Sequence, residues 1–229
     1  MSVERTLHHF PLDPVSRQVR LVLGEKRLPF VENSVRYWER PRELNRMNPS
    51  GMIPVLVETT EGQPPLILCE GRAILDHLEE TYPDPPLFAA DPVERAEARR
   101  LLTWFERKFE FEASGYILHE KIEKRLLGLG SPDIPNLRQG REGLKKHLFV
   151  FDELLQGREW LAGKRLSLAD FVAAAHLSII DYFGDMPWRE FPACKTWYMK
   201  LKSRPCFRPL LNDRWPGLHP AGHYDDLDF

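Results

Sequence analysis

The sequence predicts an α/β domain joined to an all-α domain, and three observations predict it. Over residues 1–83, short β-rich runs alternate with amphipathic helical stripes in the order β-α-β-α-β-β-α. The cluster Pro83-Asp84-Pro85-Pro86 then interrupts the chain. Beyond it the apolar spacing is helical, and no internal repeat appears. The expected organisation is an α/β domain at 1–83, a linker at 84–91, a helical domain at 92–211 and an extended tail at 212–229.

Residues 6–9 read as the first strand, ended by Pro11-Leu12-Asp13-Pro14. Val15, Val19, Val22 and Leu23 recur at i, i+4, i+7 and i+8, the stripe of an amphipathic helix, with Gly24 and Pro29 as stop signals. Residues 30–35 suggest a second strand and 39–47 a short charged helix. After the turn cluster Asn48-Pro49-Ser50-Gly51, the runs 53–58 and 66–68 read as a hairpin. A third helix from Glu70 to Tyr82 carries Ile74, Leu78 and Tyr82 on one face.

In the second half, 92–124 is one long helical pattern with Leu101, Phe105 and Phe109 at i, i+4 and i+8. Leu144, Leu148, Phe151 and Leu155 set the face of another helix. Ser167-Leu168-Ala169-Asp170 has the spacing of a capping box, with Asp in place of the usual Glu. The run 171–180 that follows is nearly all apolar, which predicts a helix buried through the domain centre. Ala193, Trp197 and Leu201 mark the last long helix, stopped before Pro205.

Composition narrows the function. Lys and Arg total 32 against 34 Asp and Glu, a formal charge of −2. That balance excludes a generic polyanion binder, which needs many cation–phosphate contacts, so no nucleic-acid partner is expected. No window approaches the ~18 apolar residues of a membrane span, and the N-terminus lacks an apolar signal core. The expected compartment is the cytoplasm, without membrane insertion. Cys69, Cys194 and Cys206 show no C-x-x-C spacing and the eight histidines no ligand pairing, so no metal site is expected. The 20 prolines are dispersed and read as punctuation between packed elements.

Four stretches carry a family resemblance: residues 13–21 opening the first helix, the segment Asn48-Pro49-Ser50-Gly51-Met52-Ile53-Pro54-Val55-Leu56, residues 70–83, and the box at 167–170. In this order and spacing the chain resembles the cytosolic glutathione S-transferases over nearly its whole length. The resemblance implies a thioredoxin-like N-terminal domain, an all-helical C-terminal domain and a cis proline at Pro54.

The family's chemistry needs a stabilised glutathione thiolate, because a free thiol ionises only near pH ~8.5. Aligned on the family pattern, Asp13 falls where Ser or Cys is expected. A carboxylate repels a thiolate, and Asp13 before Pro14 is a natural helix N-cap. Ser16, one turn on, is either a substitute donor or a first-turn residue bonded to backbone. His8, His9 and Tyr37 are further candidates, although adjacent strand residues face opposite ways, so at most one histidine can serve. At the γ-glutamyl position the family's acidic residue and Ser are here Glu70 and Gly71, so the hydroxyl is missing; Ile53 and Pro54 remain. The expectation is a vestigial glutathione site of Asp13, Ser16, Ile53, Pro54, Glu70 and Gly71, with no catalytic residue and no cofactor. An active transferase or peroxidase that binds glutathione is the alternative.

Two segments suit a binding protein instead. Arg36-Tyr37-Trp38-Glu39-Arg40 is rich in residue types enriched at interface hot spots. The tail holds Trp215, Tyr224, Leu227 and Phe229 and ends Asp225-Asp226-Leu227-Asp228-Phe229, an acidic and apolar segment that is costly to leave undocked. With Asp13, these segments resemble the FzlA-type subgroup, transferase-like proteins that bind the tubulin-like division GTPase FtsZ. The resemblance implies a homodimer that binds FtsZ polymer, promotes its curvature and bundling at the division site, and performs no glutathione chemistry. The expected partner contacts are Tyr37, Trp38, His119, Asp226, Asp228 and Phe229, with 116–121 and Leu137, Arg138 and Arg141 as weaker candidates. A translation-scaffold role rests on fold analogy alone.

Overall fold

The computed structural model describes residues 3–227. The chain divides into two compact units, Met1–Pro86 with Pro205–Asp213, and Leu87–Arg204 with Arg214–Phe229. The first unit is the thioredoxin-like sheet with its helices. Strands β1 (Val3–His9), β2 (Val31–Ser34), β3 (Val55–Thr60) and β4 (Leu66–Cys69) lie in the order β2-β1-β3-β4. β1 pairs parallel with β2 and antiparallel with β3, with Leu7 opposite Glu32 and Leu56, and β3 pairs antiparallel with β4.

Helix α1 (Pro14–Glu25) starts where the sequence places it. Asp13 has extended φ/ψ, its Oδ2 accepts from the Ser16 N–H at 2.5 Å, and Pro14 occupies the first turn, where its missing N–H costs nothing. The short helix expected at 39–47 is α2 (Arg42–Met47), preceded by a 3₁₀ turn at Tyr37–Glu39. Arg40 takes φ +49° and Pro41 follows it, which ends the turn and delays the helix. Strand β3 begins two residues later than expected, after the cis Ile53–Pro54 bond; Asp84–Pro85 is also cis. Helix α3 (Gly71–Thr81) buries Ile74 and Leu78, whereas Tyr82 caps its end and donates its hydroxyl to Glu58.

The chain returns to this unit at 205–213, a segment expected to belong to the helical domain as far as 211 and to the tail beyond it. Arginines of α1 draw it there. Asp213 accepts from Arg17 Nη2 at 2.9 Å and from both Arg20 terminal nitrogens at 2.8 and 3.0 Å. A carboxylate at such depth is tolerated because two guanidiniums face it. Within the segment, α10 (Arg208–Leu211) is a single turn.

The second unit is helical. Helix α4 (Pro92–Thr103) is capped by Asp91, which accepts from the Val93 and Glu94 amides. The expected continuous helix over 92–124 extends to 127 and is not regular. It passes through a wide π-helical stretch at Trp104–Ser114, α5 (Gly115–Leu118), a second π stretch at His119–Glu123 and α6 (Lys124–Leu127). Helix α7 (Ile134–Gln156) packs against that segment. Helix α8 (Leu168–Tyr182) is buried along its full length, as its apolar run requires. At its start the Asp170 carboxylate accepts from Ser167 N–H and Oγ–H, from Leu161 N–H and from Trp197 Nε1. Burial pushes the Asp170 carboxyl up, and these donors oppose it. Helix α9 (Pro192–Lys202) completes the unit. No helix among the described residues is long and apolar enough to cross a membrane.

Candidate functional site

The residues of the expected glutathione site lie together in the α/β unit, at the start of α1, the β3 approach and the start of α3. Asp13 is engaged as a cap. Ser16 is fully buried, and its Oγ accepts from the Phe10 N–H at 3.3 Å, so this hydroxyl serves the backbone. Ile53 and Pro54 are buried. Glu70 adopts φ +69°, a strained value for a residue with a side chain. Its Oε1 accepts from Ser50 Oγ at 3.1 Å and Asn48 Nδ2 at 3.4 Å, which hold it over the α3 N-terminus. The Glu70 side chain makes no cap hydrogen bond to α3.

Gly71 is more than a lost hydroxyl. A Cβ built there would stand 2.2 Å from Val15 Cγ1, so Val15 of α1 occupies the space a serine side chain would need. The sequence reading missed this pairing, and no local pattern signals a contact between residues 15 and 71. Cys69, beside Glu70, is no substitute nucleophile. Burial and the Glu70 charge raise its pKa, and its Sγ–H donates to the Met47 carbonyl.

The two histidines diverge as strand geometry demands. His9 is fully buried, with Nε2 3.1 Å from Glu32, which also pairs with Arg20. His8 turns toward Asn33 and Glu43, and burial lowers its pKa. Trp38 is half-buried, set edge-on against Phe10 and Tyr37 with centroids 5.3 Å from each. The loop thus holds its aromatic pair in a fixed pose with part of each ring in solvent.

In the helical unit the tail is docked. Asp181, fully buried, accepts from Trp188 Nε1 at 2.8 Å and Tyr198 Oη at 3.3 Å, and its Oδ1 lies 3.0 Å from His223 Nε2. Lys202, equally buried, donates to the Asp226 carbonyl at 2.6 Å. Tyr182 donates its hydroxyl to Leu218 O and accepts from the Ala221 N–H, both at 2.7 Å. Tyr224 is buried against the Tyr182 ring. The side chain of Asp225 pairs with Arg214, and Asp225 and Asp226 are exposed. Asp228 and Phe229 lie outside the described residues. His119 is half-exposed, with Nδ1 2.7 Å from Glu123. The clamp residues Asp181, Tyr182, Lys202 and His223 were not read from the sequence, where they look like ordinary helix and tail positions. No three His, Cys, Asp or Glu side chains converge as metal ligands among the described residues.

Comparison with known proteins places this geometry. The glutathione S-transferase N-terminal domain profile matches residues 7–86 and the C-terminal domain profile residues 122–205. The chain is 71% identical to FtsZ-localized protein A of Caulobacter vibrioides over the full length of both. It superposes on the solved structure of FzlA from C. crescentus with a TM-score of 0.96, at 70% identity, covering 99% of this chain and 100% of that one. A glutathione S-transferase from Rhodospirillum rubrum F11 is similar at a TM-score of 0.94 and 44% identity, over 98% of this chain and 100% of that one. The chain belongs to the glutathione S-transferase family, and within it to the group of FtsZ-localized protein A.

Proposed function

We propose that this chain is a non-catalytic glutathione S-transferase homologue that binds FtsZ polymer and promotes its curvature and bundling at the division site. The observation that carries the reading is the 71% identity to FtsZ-localized protein A across the whole of both chains. The site geometry supports the absence of transferase chemistry. Asp13 caps a helix, Ser16 Oγ is buried on a backbone amide, and Val15 fills the space beside Gly71. No hydroxyl is thereby presented to a thiolate at either position where the family uses one.

Partner contact falls to Tyr37 and Trp38 on their braced loop, to His119, and to the tail through Asp226, Asp228 and Phe229. The tail clamp supports this role, because a segment ordered in advance loses less entropy on binding. The protein acts in the cytoplasm as a homodimer. Met52, Leu66 and Ile67, each 44–50% exposed on and beside edge strand β4, are the kind of apolar surface a second copy covers. Two copies give two filament contacts, and the second gains from effective concentration.

Co-sedimentation with FtsZ polymer tests the reading. Trp38→Ala, and Asp226→Lys combined with Asp228→Lys, should each reduce the sedimented fraction while thermal stability holds. Wild-type levels in both variants would remove these contacts. The presence of Ile53, Pro54 and Glu70 supports retained glutathione binding as a second reading. Calorimetry with millimolar glutathione decides it, since heat of binding would reopen the transferase function.

A further inference from the structure

A groove of about 440 Å³ runs between the end of the long helical segment, the loop after it and the tail, and it is lined by Glu120, Lys121, Arg125, Ser131, Phe183 and His219. Its charges are unevenly matched. Glu120 is satisfied by Lys124 at 2.6 Å, the Asp133 N–H at 2.7 Å and the Asn136 amide at 2.9 Å. Burial pushes the Glu120 carboxyl up, but those donors outweigh it and hold it at about 2. Lys121 is satisfied by Asp185 and the Phe183 carbonyl. Arg125 has no carboxylate or carbonyl partner among the described residues.

Arg125 is nonetheless held. Trp215-Pro216-Gly217-Leu218 forms a tight turn closed by Leu218 N–H to Trp215 O at 3.0 Å, with Gly217 at φ +79°. A Cβ at 217 would lie 2.7 Å from Arg125 Nε and 3.0 Å from Nη2, so the guanidinium rests on bare tail backbone. Leu127 at the end of α6, Leu129 in the loop after it and Ile134 at the start of α7 are 49%, 57% and 63% exposed. The loop residues Gly130, Ser131 and Pro132 that line the groove with Arg125 are thus flanked in sequence by exposed apolar side chains.

We propose that this groove docks an acidic segment of the FtsZ polymer with apolar flanks, its carboxylate forked by Arg125 and its apolar residues set on Leu127, Leu129 and Ile134. The inference rests on the function proposed above and adds a second contact, opposite in sign to the acidic tail. Charge complementarity selects the occupant, because a basic segment would place like charges on Arg125 and Lys121.

The test is a co-sedimentation titration with FtsZ polymer at two salt concentrations. Arg125→Glu should weaken the apparent affinity at least ~10-fold, the scale of losing and reversing one close charge pair. Arg125→Lys should fall between, since an ammonium lacks the planar fork. The melting temperature should stay at the wild-type value in both, because Arg125 makes no ion pair to lose. Wild-type affinity in Arg125→Glu, while Trp38→Ala or the tail variant loses binding, overturns the groove and leaves the functional reading intact. An intact protein that does not sediment with FtsZ overturns both. A loss of binding matched by a fall in melting temperature also overturns the groove, because Arg125 would then be structural.

Discussion

Restoring the family's serine should harm this protein. Gly71→Ser places a Cβ 2.2 Å from Val15 Cγ1, well inside contact distance. Val15 cannot readily swing aside, since a β-branched side chain in a helix has one strongly preferred χ1. Overpacking of this kind costs ~1–3 kcal/mol. For a chain of this size, where each kcal/mol moves the melting temperature by ~2–4 °C, the expected fall is about 2–12 °C. Val15→Ala should carry a modest cost of its own. Combined with Gly71→Ser it removes the clashing methyl, so the double variant should be more stable than the two single effects predict, by ~0.5–3 kcal/mol of coupling. Thermal melts of the four proteins measure that coupling, and glutathione calorimetry on the double variant reads whether the new hydroxyl is used. The reasoning fails if Gly71→Ser melts with the wild type, or if the two effects simply add.

Buried charges and the docked tail carry further consequences. Asp213→Ala removes the buried carboxylate that Arg17 and Arg20 share, and denaturant unfolding should show a loss of ~3–5 kcal/mol; a loss below ~1 kcal/mol would mean the pair contributes little. Burial lowers the His176 pKa to about 4 from 6.5. Its folded pKa is thus below its unfolded one, so its stabilising contribution is complete above pH 6.5 and lost as pH falls toward 4. The urea midpoint should drop across that window, and His176→Gln should flatten the drop. Lys202→Met removes the donor to Asp226 O, a charged hydrogen bond worth ~1.5–3 kcal/mol. Hydrogen exchange at residues 221–226 should then speed up at least ~10-fold, whereas unchanged protection would show that the tail's other contacts, to Asp181, Tyr182 and Arg214 among them, suffice to hold it.

How much was legible depended on how far apart the interacting residues lie. Asp13-Pro14 and Ser167 with Asp170 act within one helical turn, and both cap as their spacing predicts. The burial of α8 followed from its composition alone. The π-helical stretches at 104–114 and 119–123 did not, because widening a turn shifts the apolar stripe too little to disturb a spacing read over eight residues. The return of 205–213 to the first unit depends on Asp213 meeting Arg20 across 193 residues, and nothing nearby in the sequence marks it.

The same distance effect explains why the candidate site looks eroded in sequence and orderly in structure. Read alone, Gly71 is a missing hydroxyl, and Asp13 a helix cap at a position where the family resemblance puts Ser or Cys. In the fold, Asp13 holds the α1 terminus at 2.5 Å and Val15 packs into the space Gly71 leaves. Each departure from the family pattern is thus matched by a neighbour that uses it. A site losing function by neutral drift would leave unsatisfied groups and gaps, with a stability cost at each. Here Asp13 is bonded at the start of α1 and Val15 of α1 closes the space beside Gly71 of α3. Reversing a single residue should therefore destabilise the fold before it restores any chemistry, which makes the coupling between Val15 and Gly71 the most direct measure of how far this unit has moved from its transferase relatives.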